Sequence, residues 1–373
     1  MSVPAPFVPP PYPYDRLSEI VAVARSHHDS IVDLSVGTPS DAPPPALIDA
    51  LSDPSAARTY PPSMGTAAYR DAAAGWMARR LGVSVPTDAL AACVGTKEFV
   101  TSLPHLLRLR RPDLDTVLYP AVAYPSYAMG AELAGCRAVA VPVDDEWRLD
   151  LDAIDPSDVQ RALCLWVNTP GNPAGGLDDL EAVAEWGRRN HVLVASDECY
   201  VEFTWQGPRR TIVSAGLTGV LAVHTLSKRS NFAGARAGCY VGDLDVVRFL
   251  SEVRKHQGLM VPGPVQRAAV AAWNDDSHVD AQAERYLGRL ARLRMVLSAV
   301  DVDAPMPGGA FYLWAPAPDG DAWAATRSLA ERIGVVVSPG EFYGPAGQGH
   351  LRVAAVMTDD ELATLEYRAK VAT

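Results

Sequence analysis

Residues 219–238 read GVLAVHTLSKRSNFAGARAG, an apolar run followed by a lysine, small residues and an arginine. The apolar run has the length of a strand, which predicts a buried strand with Lys228 just beyond its carboxyl end. A lysine removed from water loses its proton more readily, and a neutral amine is a nucleophile toward carbonyls. Thr225, Arg236 and the glycines are suited to binding a phosphate. A carbonyl-reactive amine beside a phosphate site indicates pyridoxal 5′-phosphate. The alternative is a solvated surface loop that carries a lysine and an arginine without binding a ligand.

Strand-like and helical patterns alternate between residues 89 and 242, and the strands are almost continuously apolar. This pattern predicts an α/β fold with a mostly parallel sheet covered by helices on both faces. Beyond it, long helices, three strand-like runs and a terminal helix predict a smaller α+β domain. We expect a large domain over residues 37–269, and a small domain formed by residues 1–36, with their N-terminal arm, and residues 270–373.

Polar residues follow two further apolar runs, at the strand ends where ligands collect in such sheets. Asp197 ends VLVASD and can keep a pyridine nitrogen protonated. Tyr200 can donate its hydroxyl to the 3′ oxygen of the same ring, and Asn172 in NTPGNPAGG can contact that oxygen. Each of these residues taken alone also fits an ordinary turn or cap.

Three other segments complete this set of groups. In CVGTKEF a strand passes through Gly95 into a helix that starts at Thr96 and Lys97, and the free N–H groups of a helix N-terminus bind phosphate. Tyr124 in YPAVAYPSY offers a flat ring to stack on a pyridine. Arg352 alternates with apolar residues in HLRVAAV, where the plain alternative is a strand residue whose guanidinium faces solvent.

The composition limits the possible functions. The chain has 373 residues, is 48% hydrophobic and carries a net charge of −11, which argues against nucleic acid or an anionic membrane as the main partner. Its five cysteines form no CxxC pair and predict a reduced, cytoplasmic protein without a metal site. The N-terminus lacks the pattern of a signal peptide, and its prolines favour an arm that is disordered or lies against another surface.

Together and in this order, these motifs resemble those of the fold type I pyridoxal-phosphate aminotransferases of class I/II, over essentially the full chain. The resemblance implies an aspartate-aminotransferase-like fold and transamination by a ping-pong mechanism. It assigns catalysis to Lys228, Asp197 and Tyr200. It assigns coenzyme binding to these three and to Gly95, Thr96, Lys97, Tyr124, Asn172, Thr225 and Arg236, and substrate binding to Gly37, Asn172 and Arg352. Thr225 stands where a serine is usual, and Ala174 where a threonine is usual.

The resemblance also implies a homodimer with shared sites, because Tyr60 matches a tyrosine that reaches the neighbouring subunit's phosphate. Within the class, motifs such as GTKEF and VRKHQGLMVPGPVQ look most like those of N-succinyldiaminopimelate aminotransferases of lysine biosynthesis. The implied substrates are an amino acid and a 2-oxo acid. No spacing of residues selects which cation would bind the distal end of the substrate, and Lys97, Arg254, Lys255 and Arg16 are candidates.

Two other classes of function stay open from the residues alone. A pyridoxal-phosphate lyase or cyclase would use the same groups for elimination or decarboxylation, and another amino acid could be the substrate. A coenzyme-sensing regulator fits less well, because no basic helix-turn-helix segment precedes the predicted domain.

Overall fold

The computed structural model describes residues 7–372, so the first six residues of the predicted arm lie outside the described residues. A seven-stranded sheet forms its centre, in the order β2-β8-β7-β6-β5-β3-β4. The strands are β2 (Leu90–Cys93), β3 (Thr116–Pro120), β4 (Arg137–Val141), β5 (Ala162–Asn168), β6 (Leu193–Asp197), β7 (Val220–Thr225) and β8 (Gly238–Gly242). The expected mostly parallel sheet is confirmed, and β8 is the exception, since it runs antiparallel to β7 and β2.

Alternation along the strands explains why helices cover both faces of this sheet. On β5, Leu165 and Val167 belong to one buried cluster, while Cys164 and Trp166 belong to another on the opposite face. The first cluster is completed by α3 (Ala67–Leu81), α7 (Leu180–Asn190) and α10 (Gly263–Asn274). The second is completed by α4 (Thr96–Arg110), α5 (Ser126–Leu133) and α9 (Leu244–His256). Shorter helices are α2 (Pro45–Leu51), α6 (Pro156–Val159) and α8 (Leu226–Arg229).

A third buried cluster surrounds a small antiparallel sheet in the order β11-β12-β9. Its strands are β9 (Tyr312–Pro316), β11 (Ser338–Pro339) and β12 (His350–Ala354), and its helices are α11 (Ser277–Ser298), α12 (Ala322–Ile333) and α13 (Asp359–Ala372). The N-terminal segment joins this part of the fold, because β1 (Val32–Asp33) pairs with β10 (Val335–Val336) and α1 (Ser18–His27) packs on α12.

The expected domain boundary at residue 270 falls inside a continuous helix. Ala272 and Trp273, near the end of α10, are fully buried in the cluster of the large sheet. Packing keeps the last turn of α10 with the helices that it contacts, α2 and α3. We therefore propose that the division between the two parts lies at the junction of α10 and α11, after Asn274.

The described part of the N-terminal arm lies against its own chain. Residues Pro13–Leu17 form a short 3-10 turn, which proline tolerates in its first turn. The Tyr14 hydroxyl lies 3.0 Å from the hydroxyl of Tyr343, and Arg16 forms an ion pair with Glu341 at 2.6 Å. The prolines favour an arm that is either disordered or lies against another surface, and the described residues of the arm show the second arrangement. Among residues 7–372, no helix is long and apolar enough to span a membrane.

Candidate active site

A cavity of about 420 Å³ lies at the carboxyl ends of the central strands. β5 and β6 end there with Asn168 and Asp197, which are register partners, and β7 leads through α8 to Lys228. The Asn168 amide donates to the Asp197 carbonyl at 2.8 Å, which fixes the two strand ends relative to each other. The parallel strands therefore bring residues that are distant in sequence to one wall.

The structure brings most of the predicted residues together in this cavity. Its lining includes Gly37, Thr96, Lys97, Tyr124, Asn172, Asp197, Tyr200, Lys228, Arg236 and Arg352. Gly95 lies directly behind Arg236, since a Cβ there would clash with the guanidinium. Thr225 is not among the lining residues, and its buried hydroxyl caps α8 by accepting the Ser227 N–H at 3.1 Å. Tyr60 is 94% exposed and contributes nothing to the cavity of its own chain.

Lys228 is the amine of the site. Its Nζ donates a hydrogen bond to the Gly37 carbonyl. Removal from water lowers the pKa of Lys228 to about 8, and the nearby guanidiniums of Arg352 and Arg236 favour the neutral amine further. Far more of this lysine is therefore unprotonated near neutral pH than of an ordinary lysine, roughly a tenth of it, and the neutral amine is the form that acts as a nucleophile or general base.

Asp197 is the buried carboxylate of the site. It receives hydrogen bonds from the Tyr127 hydroxyl at 2.9 Å and from the Cys199 N–H at 3.2 Å. Burial raises the pKa of Asp197, and the hydrogen bonds from Cys199 and Tyr127 oppose that rise. A cationic ring nitrogen beside it would also favour its charged form. Sequence reasoning missed Tyr127, whose place three residues after Tyr124 on a predicted helix was its only signal.

Arg352 lies on the small sheet and faces the same cavity. It is 1% exposed, so the alternative of a guanidinium in solvent is wrong. It donates to Asn172 Oδ1 at 2.9 Å and to the Ser35 carbonyl, and its Cζ lies 4.4 Å from the Tyr312 ring centre. Among residues 7–372 no carboxylate stands beside it, and its Nε has no hydrogen-bond partner. A buried cation without a counter-charge is suited to receiving an anionic ligand.

One corner of the cavity is suited to a phosphate. Helix α4 begins at Thr96, immediately after Gly95, whose φ of 77° lies in the left-handed region that favours glycine. The helix N-terminus offers free N–H groups there, and the Arg236 guanidinium stands against the same turn. Ser227 adds a further hydroxyl to the lining. Backbone donors, hydroxyls and a cation thus surround one position.

The mouth of the cavity is aromatic and holds one further cation. Lys97 Nζ lies 5.0 Å from the ring centre of Tyr12 and 5.7 Å from that of Tyr124. Tyr12 and Tyr14 of the arm belong to the lining, and sequence reasoning missed both, because nothing in a proline-rich arm indicates the surface it covers. Tyr200 lines the interior, where its hydroxyl shares a 2.8 Å hydrogen bond with that of Tyr312.

The other three candidate cations do not line the cavity. Arg254 is buried in a bidentate pair with Glu98, at 2.7 and 2.8 Å. Lys255 lies on the exposed surface of α9, and Arg16 is paired with Glu341. Of the four cations considered from the sequence, Lys97 is therefore the one available to a ligand in the cavity.

These groups fit pyridoxal 5′-phosphate. The cavity offers an amine for the aldehyde, a carboxylate for the ring nitrogen, a flat ring at Tyr124 and a cationic phosphate corner. A Cβ at Gly95 would clash with the Arg236 guanidinium, so the glycine allows that guanidinium to reach the phosphate corner. The two remaining features, the unmatched Arg352 and the cation at the mouth, are free for a substrate.

Comparison with known proteins places the chain in a family. Residues 29–366 match the family described as aminotransferase class I and II. The chain is 43% identical to a probable aminotransferase of Mycobacterium tuberculosis, over 95% of this chain and 84% of that protein. It is 39% identical to the 4-dedimethylamino-4-oxo-anhydrotetracycline transaminase of Streptomyces rimosus, over 96% of this chain and 98% of that one.

A solved structure agrees with these relatives. A probable N-succinyldiaminopimelate aminotransferase from Thermus thermophilus is 28% identical and superimposes with a TM-score of 0.86, over 96% of this chain and all of that one. The family match covers most of the chain, and the fold and the cavity agree with it. The chain therefore belongs to the class I and II aminotransferases, enzymes that depend on pyridoxal 5′-phosphate.

Proposed function

We propose that this aminotransferase exchanges an amino group between glutamate and N-succinyl-2-amino-6-oxopimelate, a step of lysine and diaminopimelate biosynthesis. The observation that carries the proposal is the buried, unmatched guanidinium of Arg352 in the same cavity as Lys228. Lys97 at the mouth adds a cation for the distal carboxylates of such substrates. The similarity to the probable N-succinyldiaminopimelate aminotransferase of Thermus thermophilus supports this choice of substrate.

The proposed mechanism assigns one task to each group. Pyridoxal phosphate, when bound, supplies the electron sink that stabilises a carbanion at the substrate's α-carbon. Lys228 Nζ would hold the coenzyme, and its free amine would take the proton from the substrate's α-carbon as a general base. Asp197 holds the proton on the ring nitrogen. Arg352 binds the α-carboxylate and thereby orients the Cα–H bond toward Lys228.

The remaining predicted residues are proposed to hold the coenzyme and to close the site. Gly95, Thr96 and Arg236 surround the phosphate, and Thr225 supports that corner by capping the helix of Lys228. Tyr124 stacks on the ring, and Asn172 and Tyr200 contact its 3′ oxygen. Gly37 lets the backbone approach closely, since a Cβ there would clash with the hydroxyl of Tyr312.

A second candidate substrate is a large cyclic ketone. The Streptomyces rimosus relative is named for a tetracycline-type ketone and is 39% identical over nearly its whole length. The aromatic wall of Tyr12, Tyr14 and Tyr124 at the mouth favours a flat, partly apolar substrate.

We also propose a cytoplasmic location, supported by the buried free thiols of Cys93 and Cys164.

The choice between the two substrates is tested with Lys97→Met. If Lys97 binds a distal carboxylate, this change lowers kcat/KM about tenfold or more for the succinylated substrate and for glutamate, but leaves that for alanine nearly unchanged. Lys255→Met, which alters an exposed lysine, serves as the control. Transfer to a tetracycline-type ketone together with no transfer to the succinylated oxo acid would reverse the assignment.

Lys228 is tested by reduction of the holoenzyme with borohydride. The coenzyme should be fixed to the peptide that contains Lys228, and Lys228→Ala should abolish transfer while Lys255→Ala does not. Because the pKa of Lys228 is lowered to about 8, its labelling by a small aldehyde in the coenzyme-free protein should rise as pH passes through about 8. A label on another lysine, or a rise centred near the ordinary value of 10.5, contradicts the assignment.

Asp197→Ala removes the carboxylate that would hold the ring nitrogen protonated. Proton removal from the substrate should slow by roughly a hundredfold or more, while the coenzyme is still bound through its phosphate. Single-turnover kinetics with α-deuterated glutamate measure this step directly. Asp245→Ala, at an exposed position on α9, is the control. An Asp197→Ala variant with native rates would place the ring partner elsewhere.

We further propose a homodimer in which Tyr60 reaches the coenzyme phosphate of the partner. Its ring is 94% exposed in the single chain and is therefore available to a second copy. Tyr60→Ala should weaken coenzyme binding. Mixing it with inactive Lys228→Ala creates hybrid dimers with one intact site, so activity at limiting coenzyme should rise, to at most about half the native level per hybrid dimer. Sedimentation as a fully active monomer, or no rise on mixing, would exclude shared sites.

A further inference from the structure

Two segments meet at the catalytic amine. The lysine segment, residues 226–231, carries Lys228, and the Gly37 loop, residues 34–44, connects β1 to α2 without helix or strand. The Lys228 amine donates to the Gly37 carbonyl, which is a direct link between them. That link breaks whenever the amine turns toward a ligand, so another contact has to keep the two segments at a fixed separation.

A single buried amide bridges the same two segments. Gln282 lies on α11 and is 3% exposed. Its Oε1 accepts a hydrogen bond from Asn231 Nδ2 at 3.2 Å, and its Nε2 donates to Asp41 Oδ2 at 2.9 Å. Asn231 lies three residues after Lys228, and Asp41 lies four residues after Gly37. Neither hydrogen bond of the bridge involves the Lys228 amine.

Both ends of the bridge are themselves held in place. Asp41 accepts a hydrogen bond from Arg289 Nη2 at 3.0 Å, one of two contacts with that guanidinium, and Arg289 is also on α11. Asn231 has a φ of 51°, in the left-handed region that asparagine tolerates well, so its side chain is aimed by a defined turn. The neighbouring Ser230 hydroxyl lies 2.9 Å from His278 Nε2 at the start of α11.

Helix α11 is also the element at which the two parts of the fold join. Toward its carboxyl end, Tyr286, Leu290 and Leu293 pack into the cluster of the small sheet. Near its start, it contacts the lysine segment, which extends from the central sheet. Gln282 lies between these regions, so a displacement of one part against the other would act directly on its hydrogen bonds to Asn231 and Asp41; its third, from Arg285, stays within α11.

We propose that Gln282 is a positioning residue that keeps the Gly37 loop and the lysine segment in register while Lys228 moves. The proposal rests on the roles proposed above for Lys228 and Gly37. A merely structural amide, satisfied because it is buried, would support overall stability without linking these two segments. The two possibilities differ in which backbone amides become exposed when the bridge is removed.

Hydrogen exchange of the full-length protein, with and without coenzyme, separates them. In Gln282→Met, which keeps the volume and removes both hydrogen bonds, peptides covering residues 36–41 and 226–231 should exchange about tenfold faster, with the central strands unchanged. Glu284→Gln, at an exposed position of the same helix, should leave both peptides unchanged. Equal acceleration in all peptides, or in one of the two segments alone, would overturn the proposal.

A second variant guards against misfolding of the first. Asn231→Gly keeps the left-handed turn and removes the amide that contacts Gln282, so it should reproduce the exchange pattern. In the holoenzyme each change should lower kcat about tenfold with little effect on KM, and the double variant should lose no more than either alone. Additive losses would overturn the bridge. An active Lys228→Ala enzyme would refute the proposed site instead, whatever the exchange pattern.

Discussion

The accumulation of buried positive charge around Lys228 is the constraint on which the rest of the site depends. Lys228, Arg236 and Arg352 line one cavity, and among the described residues Asp197 is the single carboxylate in its wall. Removal from water, and then repulsion by the two guanidiniums, lowers the pKa of Lys228, while the guanidiniums stay charged and attract anions. This excess of positive charge suits anionic ligands, and the phosphate of the family's coenzyme is one of them.

The central sheet makes this arrangement possible because it holds polar and charged side chains at the ends of buried, hydrogen-bonded strands. Asn168 and Asp197 are register partners on parallel strands, and the amide of one is bonded to the carbonyl of the other. Full burial of β5 on both faces leaves its end no freedom to move. Arg352 is delivered from the other side by the small sheet, and its contacts with Asn172 and the Ser35 carbonyl join the two parts across the cavity.

Sequence reasoning located the residues that follow regular strands, because strand ends in a parallel sheet converge at one edge. It identified Asp197, Lys228 and the glycine turn before α4 in this way, and periodicity predicted the two-part fold. It did not identify Tyr127 or the arm tyrosines, because their contacts depend on tertiary packing that no local pattern encodes. Sequence alone also offered no reason to place the boundary after α10 instead of at residue 270, since that proposal depends on the packing of α10 on α2 and α3.

The contrast between residues positioned by strand ends and residues positioned by tertiary packing also bears on what relatives can share. The inner wall is fixed by strand register, so relatives with this fold can keep the same amine, carboxylate and phosphate corner. The mouth is formed by Tyr12 and Tyr14 of the arm and by Lys97, and the arm is held there by a few side-chain contacts, such as the one from Tyr14 to Tyr343. Substitutions in the arm alter the mouth without disturbing the sheet. A protein as similar to this chain as its Streptomyces rimosus relative can therefore differ from it in the arm while keeping the same inner wall.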